Sequence, residues 1–277
     1  MATKTLPKIN AIYWALVISS TTLGETAGDF ISQTLGLGYG GGTIALLSFF
    51  VIAAVAEIFS KRPRRWLYWL TLTLASIGGT TLADYLARTL GLGYPTSFAL
   101  VIVILVITLS AWKMSTHSLN LNSALDARGE SLYWLTILSS STLGTVLGDL
   151  LSKDTLDLSP PEGRVLSDTT FGQFMAEQNI GLAGIGVGDA LTTMILLGVL
   201  VVVTVVTLRT RVSRITCYWA GIIVTHPLGA ALGDFMTKKD GLDLGNTRAT
   251  YILLAVLAAV CVFAVLHNKK NAKVLAA

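Results

Sequence analysis

The chain has 277 residues, 53% of them hydrophobic and only 13% charged, with a mean hydropathy of +0.68. A soluble domain carries about 25% charged residues, so a water-facing globule is excluded, as are intrinsic disorder, collagen-like repeats and a disulfide-stapled secreted domain. The formal charge of +4 is too small and too scattered to argue for nucleic acid, and Cys217 and Cys261 lie in apolar runs that frame neither a disulfide set nor a zinc site.

Taken in chain order, eight stretches are long and apolar enough to cross a bilayer, which needs about 20 residues per helix. They run over residues 11–34, 40–60, 66–89, 95–112, 132–152, 188–208, 215–236 and 249–267. Lipid offers no partner to an open sheet edge, so the expected fold is an all-α bundle. The first stretch does not read as a cleaved signal peptide, since it carries Glu25 and Asp29 and lacks a short apolar core ending in small residues. With eight spans both termini share one side. That side holds fourteen of the 20 lysines and arginines, among them Lys61, Arg62, Arg64, Arg65, Arg209, Arg211 and Arg214. The positive-inside rule then places the termini in the cytoplasm.

Tyr-Trp occurs four times, at Tyr13-Trp14, Tyr68-Trp69, Tyr133-Trp134 and Tyr218-Trp219. Ten residues after each Trp stands a glycine (Gly24, Gly79, Gly144, Gly229), fourteen after stands Gly28, Ala83, Gly148 or Gly233, and fifteen after stands Asp29, Asp84, Asp149 or Asp234. The chain therefore reads as one membrane domain of four repeats, residues 9–61, 65–113, 130–208 and 214–267, each a motif-bearing span followed by a plainer one. Two helices per unit make the repeats parallel, related by an axis along the membrane normal. Copies one and two share Leu35-Gly36-Leu37-Gly38-Tyr39 and Leu90-Gly91-Leu92-Gly93-Tyr94. Copies three and four share Asp154 before Leu156-Asp157-Leu158 and Asp240 before Leu242-Asp243-Leu244. The third copy also carries an outer-loop insertion at 159–187, with room for a short surface helix at 165–178.

Residues four apart share a helix face. The small residues at Trp+10 and Trp+14 let helices approach closely in lipid. Beside them runs a polar stripe at Trp+7, Trp+11 and Trp+15, which reads Thr21-Glu25-Asp29, Ser76-Thr80-Asp84, Ser141-Thr145-Asp149 and His226-Ala230-Asp234. The odd spans should lie inside and the even spans, mostly Val, Leu, Ile and Ala, outside. A central aspartate costs about 2.5–3.5 kcal/mol on insertion scales, so such residues face a bundle interior or a wet cavity and pair with something. Apart from Arg88 beside Asp84, the spans offer no fixed cation within their length. Protonation or a mobile cation would then supply the missing charge. Asp29, Asp84, Asp149, Asp234 and Glu25 are the candidate ligands of a divalent ion such as Mn²⁺. Thr21, Thr80 and Thr145 are candidate neutral ligands, and His226 is an extra ligand or proton acceptor.

His226 precedes Pro227, which should kink the seventh span. The Tyr-Trp pairs read as interfacial anchors, and Glu57 and Asp189 as solvated span ends. The glycine-rich segments lack the Lys-Ser/Thr of a phosphate loop, and no hydrolase or transferase constellation stands out.

The run Thr21-Thr22-Leu23-Gly24-Glu25-Thr26-Ala27-Gly28-Asp29, with Tyr-Trp upstream and Leu-Gly-Leu-Gly downstream, resembles a family of bacterial multi-pass membrane proteins. That family is built of four tandem repeats of two spans and is generally described as uncharacterised. The resemblance implies eight spans in a bacterial inner membrane and supplies no functional residues. The expected function is a cation-selective, proton-coupled or divalent-metal transporter rather than an enzyme. Its partners would be the bilayer and a small cation or protons; a homo-oligomer is allowed, and no resident cofactor is expected beyond a bound divalent ion. The alternatives are a structural or sensing protein whose carboxylates only bridge helices, and a membrane-embedded enzyme acting on a lipid-like substrate.

Overall fold

The computed structural model describes residues 7, 9–60, 64–116, 126–153, 185–210 and 212–276. Among them are eight helices and no strand: α1 (Ala11–Asp29), α2 (Gly38–Phe59), α3 (Arg65–Asp84), α4 (Gly93–Thr116), α5 (Ala127–Ser152), α6 (Asp189–Arg209), α7 (Arg214–Thr237) and α8 (Gly245–Ala276). Single π-helical turns, Phe30–Thr34 and Tyr85–Thr89, extend α1 and α3 at the same register. Most of the third copy's insertion, including the expected helix at 165–178, lies outside the described residues.

The four motif-bearing helices form a closed inner ring, α1 against α3, α3 against α5, α5 against α7 and α7 against α1. Each plain helix packs mainly on the next unit's inner helix: α2 on α3, α4 on α5, α6 on α7, and α8 back on α1. The repeats are thus interlocked, and the last outer helix closes the circle on the first inner one. Six helices are apolar enough to cross a membrane by length and composition, and α1 and α3 are not among them. These two belong to the inner ring, where a polar stripe meets protein rather than lipid.

The small residues set the seams of the ring. A Cβ on Gly24 would stand 2.7 Å from the Ser76 Cβ, one on Gly79 2.7 Å from the Ser141 Cβ, and one on Gly229 2.6 Å from the Thr21 Cβ. Gly144 meets His226 and Pro227 in the same way. At every seam the Trp+10 glycine of one unit receives the Trp+7 side chain of the next.

The turn after each inner helix is also common to all four copies. Backbone N–H groups of Leu35 and Leu37 donate to the Phe30 and Ile31 carbonyls; Leu90 and Leu92, Ile185 and Val187, and Leu242 and Leu244 repeat this on their own helices. Two left-handed residues make the turn: Gly36 and Gly38, Gly91 and Gly93, Gly186 and Gly188, Asp243 and Gly245. Aspartate is among the few side chains that tolerate this conformation. Asp154 and Leu156-Asp157-Leu158, which pair copies three and four in sequence, lie outside the described residues. Among the described residues the third copy's counterpart of Leu242-Asp243-Leu244 in this turn is Ile185-Gly186-Val187, the last three residues of the stretch expected as an insertion at 159–187.

Candidate functional site

Steps of four along the inner helices stack like residues in layers, about 6 Å apart at 1.5 Å per residue. At one end the four tyrosines close a ring of hydroxyls: Tyr13 to Tyr68 at 3.0 Å, Tyr68 to Tyr133 at 2.6 Å, Tyr133 to Tyr218 at 3.3 Å and Tyr218 to Tyr13 at 2.8 Å. All four side chains are buried, as are Trp134 and Trp219. The reading as interfacial anchors is thus overturned for the four tyrosines, Trp134 and Trp219, while Trp14 and Trp69 are half-buried: the tyrosines pack edge to face on their tryptophans and on Trp112, and each hydroxyl finds its partner inside the bundle. Glu57, expected to be solvated, is buried too, in the last turn of α2. One turn inward, at Trp+3, lies a dry layer of Val17, Leu72, Ile137 and Ile222.

The next layers are polar. Thr21 donates to the Ile18 carbonyl and reaches the Thr225 carbonyl on α7 at 3.3 Å. His226 holds Nδ1 2.9 Å from the Ile222 carbonyl and 3.2 Å from the Ser140 hydroxyl, while its Nε2 is buried without a hydrogen-bond partner among the described residues. Pro227 sits inside α7 without ending it. One layer further, Glu25 reaches across the bundle. Its Oε2 accepts from Thr80 at 3.2 Å and Thr145 at 3.1 Å, and these two hydroxyls are 3.1 Å apart.

The aspartates come together at the far end, but not as an acidic cluster without fixed cations, and that expectation is corrected. The residue four beyond each aspartate, at Trp+19, is Gln33, Arg88, Lys153 or Lys238. Arg88 lies 2.7 Å from Asp84 and 3.9 Å from Asp149. Lys153 pairs with Asp149 and stands 3.0 Å from Asp234. Lys238 lies 3.3 Å from Asp234 and 3.1 Å from Asp29. Each cation thus holds its own aspartate and the next unit's. In the first copy a neutral residue takes the place, and Gln33 donates to Asp29 at 2.5 Å.

Both lysines stay charged. Asp29 foremost, then Asp234, holds the Lys238 ammonium protonated well above the usual lysine range against the pull of burial. At Lys153 burial opposes the charge, and Asp149 and Asp234 outweigh it. Sequence reasoning missed these lysines because they fall one residue past their helices. The recurrence at Trp+19 was the signal.

Glu25, Asp29 and Asp234 are all buried, and each offers a carboxylate oxygen within 4.8 Å of the other two. Oxygens on opposite sides of a Ca²⁺-sized ion stand about 4.6–5.2 Å apart, twice the 2.3–2.6 Å bond length, so the three could ligate one hard cation. Asp84 and Asp149 lie outside this trio, held by Arg88 and Lys153. Thr80 and Thr145 support Glu25; Thr21 and His226 lie one layer below.

Nothing matches the chain among curated proteins or among solved structures. One family model matches four times, at residues 12–63, 67–118, 132–167 and 217–270, once per copy, the third match ending before α6. Those matches span well over half of the sequence, and the chain belongs to the family described as Repeat of Unknown Function (DUF347).

Proposed function

We propose that the protein is a membrane transporter for a small cation, with Glu25, Asp29 and Asp234 as its binding carboxylates. The observation that carries this reading is their convergence in the buried centre of the inner ring. Five carboxylates stand against three fixed cations there, so the centre lacks positive charge. A hard divalent ion such as Mn²⁺, or a smaller cation together with a proton on Glu25, would restore it. The polar layers lead towards the carboxylate end, while the tyrosine ring and the aliphatic layer below it bar the other end, as an apolar constriction does. On this reading an ion enters and leaves by the carboxylate end. We take the tyrosine end to be cytoplasmic from the lysine and arginine bias, and the membrane to be a bacterial inner membrane from the family resemblance. Because Arg88, Lys153 and Lys238 are engaged inside the ring, few basic residues of the carboxylate end remain to oppose that bias.

The test is Mn²⁺ flux into proteoliposomes. Glu25→Gln combined with Asp29→Asn should reduce it to the level of empty vesicles, and undiminished flux would remove the proposal. A structural role is favoured by one observation, the cation four residues beyond Asp84, Asp149 and Asp234. On that reading flux is absent from the start, and the double variant loses only stability.

A further inference from the structure

Among the three fixed cations Lys238 stands apart. Its side chain is 37% exposed, against 22% for Lys153 and 18% for Arg88. It is also the one that bridges two members of the carboxylate trio, with Nζ between Asp29 Oδ2 and Asp234 Oδ1, whereas Lys153 meets only Asp234. The contact with Asp234 is loose: Oδ1 is buried and accepts no hydrogen bond, although the ammonium is only 3.3 Å away. The far oxygen of Asp234 is taken by Lys153 at 3.0 Å, so Oδ1 is the one left for a ligand. The backbone at Lys238 is pinned. Its carbonyl accepts from Gly241 and Asp243, and the following turn is tied to Phe235 and Met236. Only the side chain is free to move, a compact charge on a flexible four-carbon stem.

We infer that Lys238 is a tethered stand-in for the transported ion, occupying the Glu25–Asp29–Asp234 site when it is empty and swinging outward when a hard divalent cation arrives. The inference rests on the transport reading and adds the exchange partner. Carboxylates left bare would repel one another apart; a tethered ammonium offsets that repulsion and holds Asp29 and Asp234 near each other for ligation. A bound ion must then compete with it. The competition lowers the apparent affinity by the fraction of time the lysine is away, which favours release after transport.

The experiment uses the full chain in detergent with Mn²⁺ as probe. In the unaltered protein, saturating Mn²⁺ should raise the rate at which an amine reagent labels Lys238 several-fold, read by peptide mass analysis. Mg²⁺ outside its binding range serves as the ionic-strength control. Lys238→Met should bind Mn²⁺ about tenfold more tightly, as expected when a competitor present about nine-tenths of the time is removed. Lys238→Arg should bind it more weakly than the unaltered chain. Labelling that ignores Mn²⁺, or a folded Lys238→Met that binds no more tightly, overturns the inference, as does absence of Mn²⁺ binding in both proteins. If Lys238→Met does not fold, the labelling of the unaltered chain decides alone. The two proposals fail separately. Mn²⁺-driven exposure of Lys238 without vesicle flux removes transport and keeps the exchange, whereas flux with an unmoved Lys238 does the reverse.

Discussion

The two ends of the inner ring obey the same register and treat it differently. At the tyrosine end all four copies supply the same side chain, and the hydroxyls close a circle in which each has two neighbours. At the carboxylate end all four supply aspartate, but the bridging position reads Gln33, Arg88, Lys153, Lys238. Three seams are strapped by a cation, and the seam between α1 and α3 is not. The helix that lacks the cation is also the one that carries the extra acid, Glu25. Fourfold repetition is therefore kept at the tyrosines and the aspartates, and broken at the residues that bridge one aspartate to the next. A closed ring of neutral hydroxyls is satisfied as it stands, whereas a broken ring of charges needs something from outside.

The largest effect separating the two ends is expected from Lys153→Met. Lys153 holds both Asp149 and Asp234, and its loss leaves two buried carboxylates short of a cation. Removing one partner of a buried pair costs about 3–5 kcal/mol, and the partial exposure of this side chain puts the loss near the lower figure. Denaturant unfolding in detergent measures it. Tyr68→Phe is the matching test at the other end. Tyr68 bonds both Tyr13 and Tyr133, so the variant leaves two hydroxyls underpartnered and should cost about 1–3 kcal/mol. Mn²⁺ binding should be unaltered in Tyr68→Phe and changed in Lys153→Met. An equal effect of the two on Mn²⁺ would break the comparison between ends.

How much of this was legible in the sequence follows from what fixes each feature. The eight helices, the inner and outer layers and the four units were legible because lipid forces apolar length on the outer helices, and because close approach forces Gly24, Gly79, Gly144 and Gly229 into register. The polar stripe was legible for the same reason. Three features were not. The tyrosines sit beside tryptophans near helix starts, where bilayer-facing anchors also sit. Only the packing of four helices about one centre turns that face inward. The lysines lay in what reads as loop, since the apolar pattern stops at residue 152 or 236, one or two residues short of the charge. The third copy's turn was hidden by its insertion, which separates Ile185-Gly186-Val187-Gly188 from the helix that it caps.

The smallest expected effect, and the one that sharpens the comparison most, is that of Gln33→Lys. By the rule of the other three seams, a lysine at 33 should hold Asp29 and reach Asp84 on α3. It would complete the ring as Arg88 does towards Asp149, Lys153 towards Asp234 and Lys238 towards Asp29. The gain is that of a partly exposed ion pair, about 0.2–1 kcal/mol, or a rise in Tm of at most about 2–4 °C for a chain of this size. Gln33→Met, of similar length and without charge, should lower the Tm slightly through loss of the bond to Asp29. The sign of the difference between the two variants is the measurement. If the missing cation is what leaves this end open to a mobile ion, Gln33→Lys should also blunt the stabilisation that Mn²⁺ confers, because a fixed charge now supplies part of what the ion brought. A lysine there that destabilises the protein more than methionine does would mean that the α1–α3 seam is spaced for glutamine. The asymmetry would then be one of shape and not of charge.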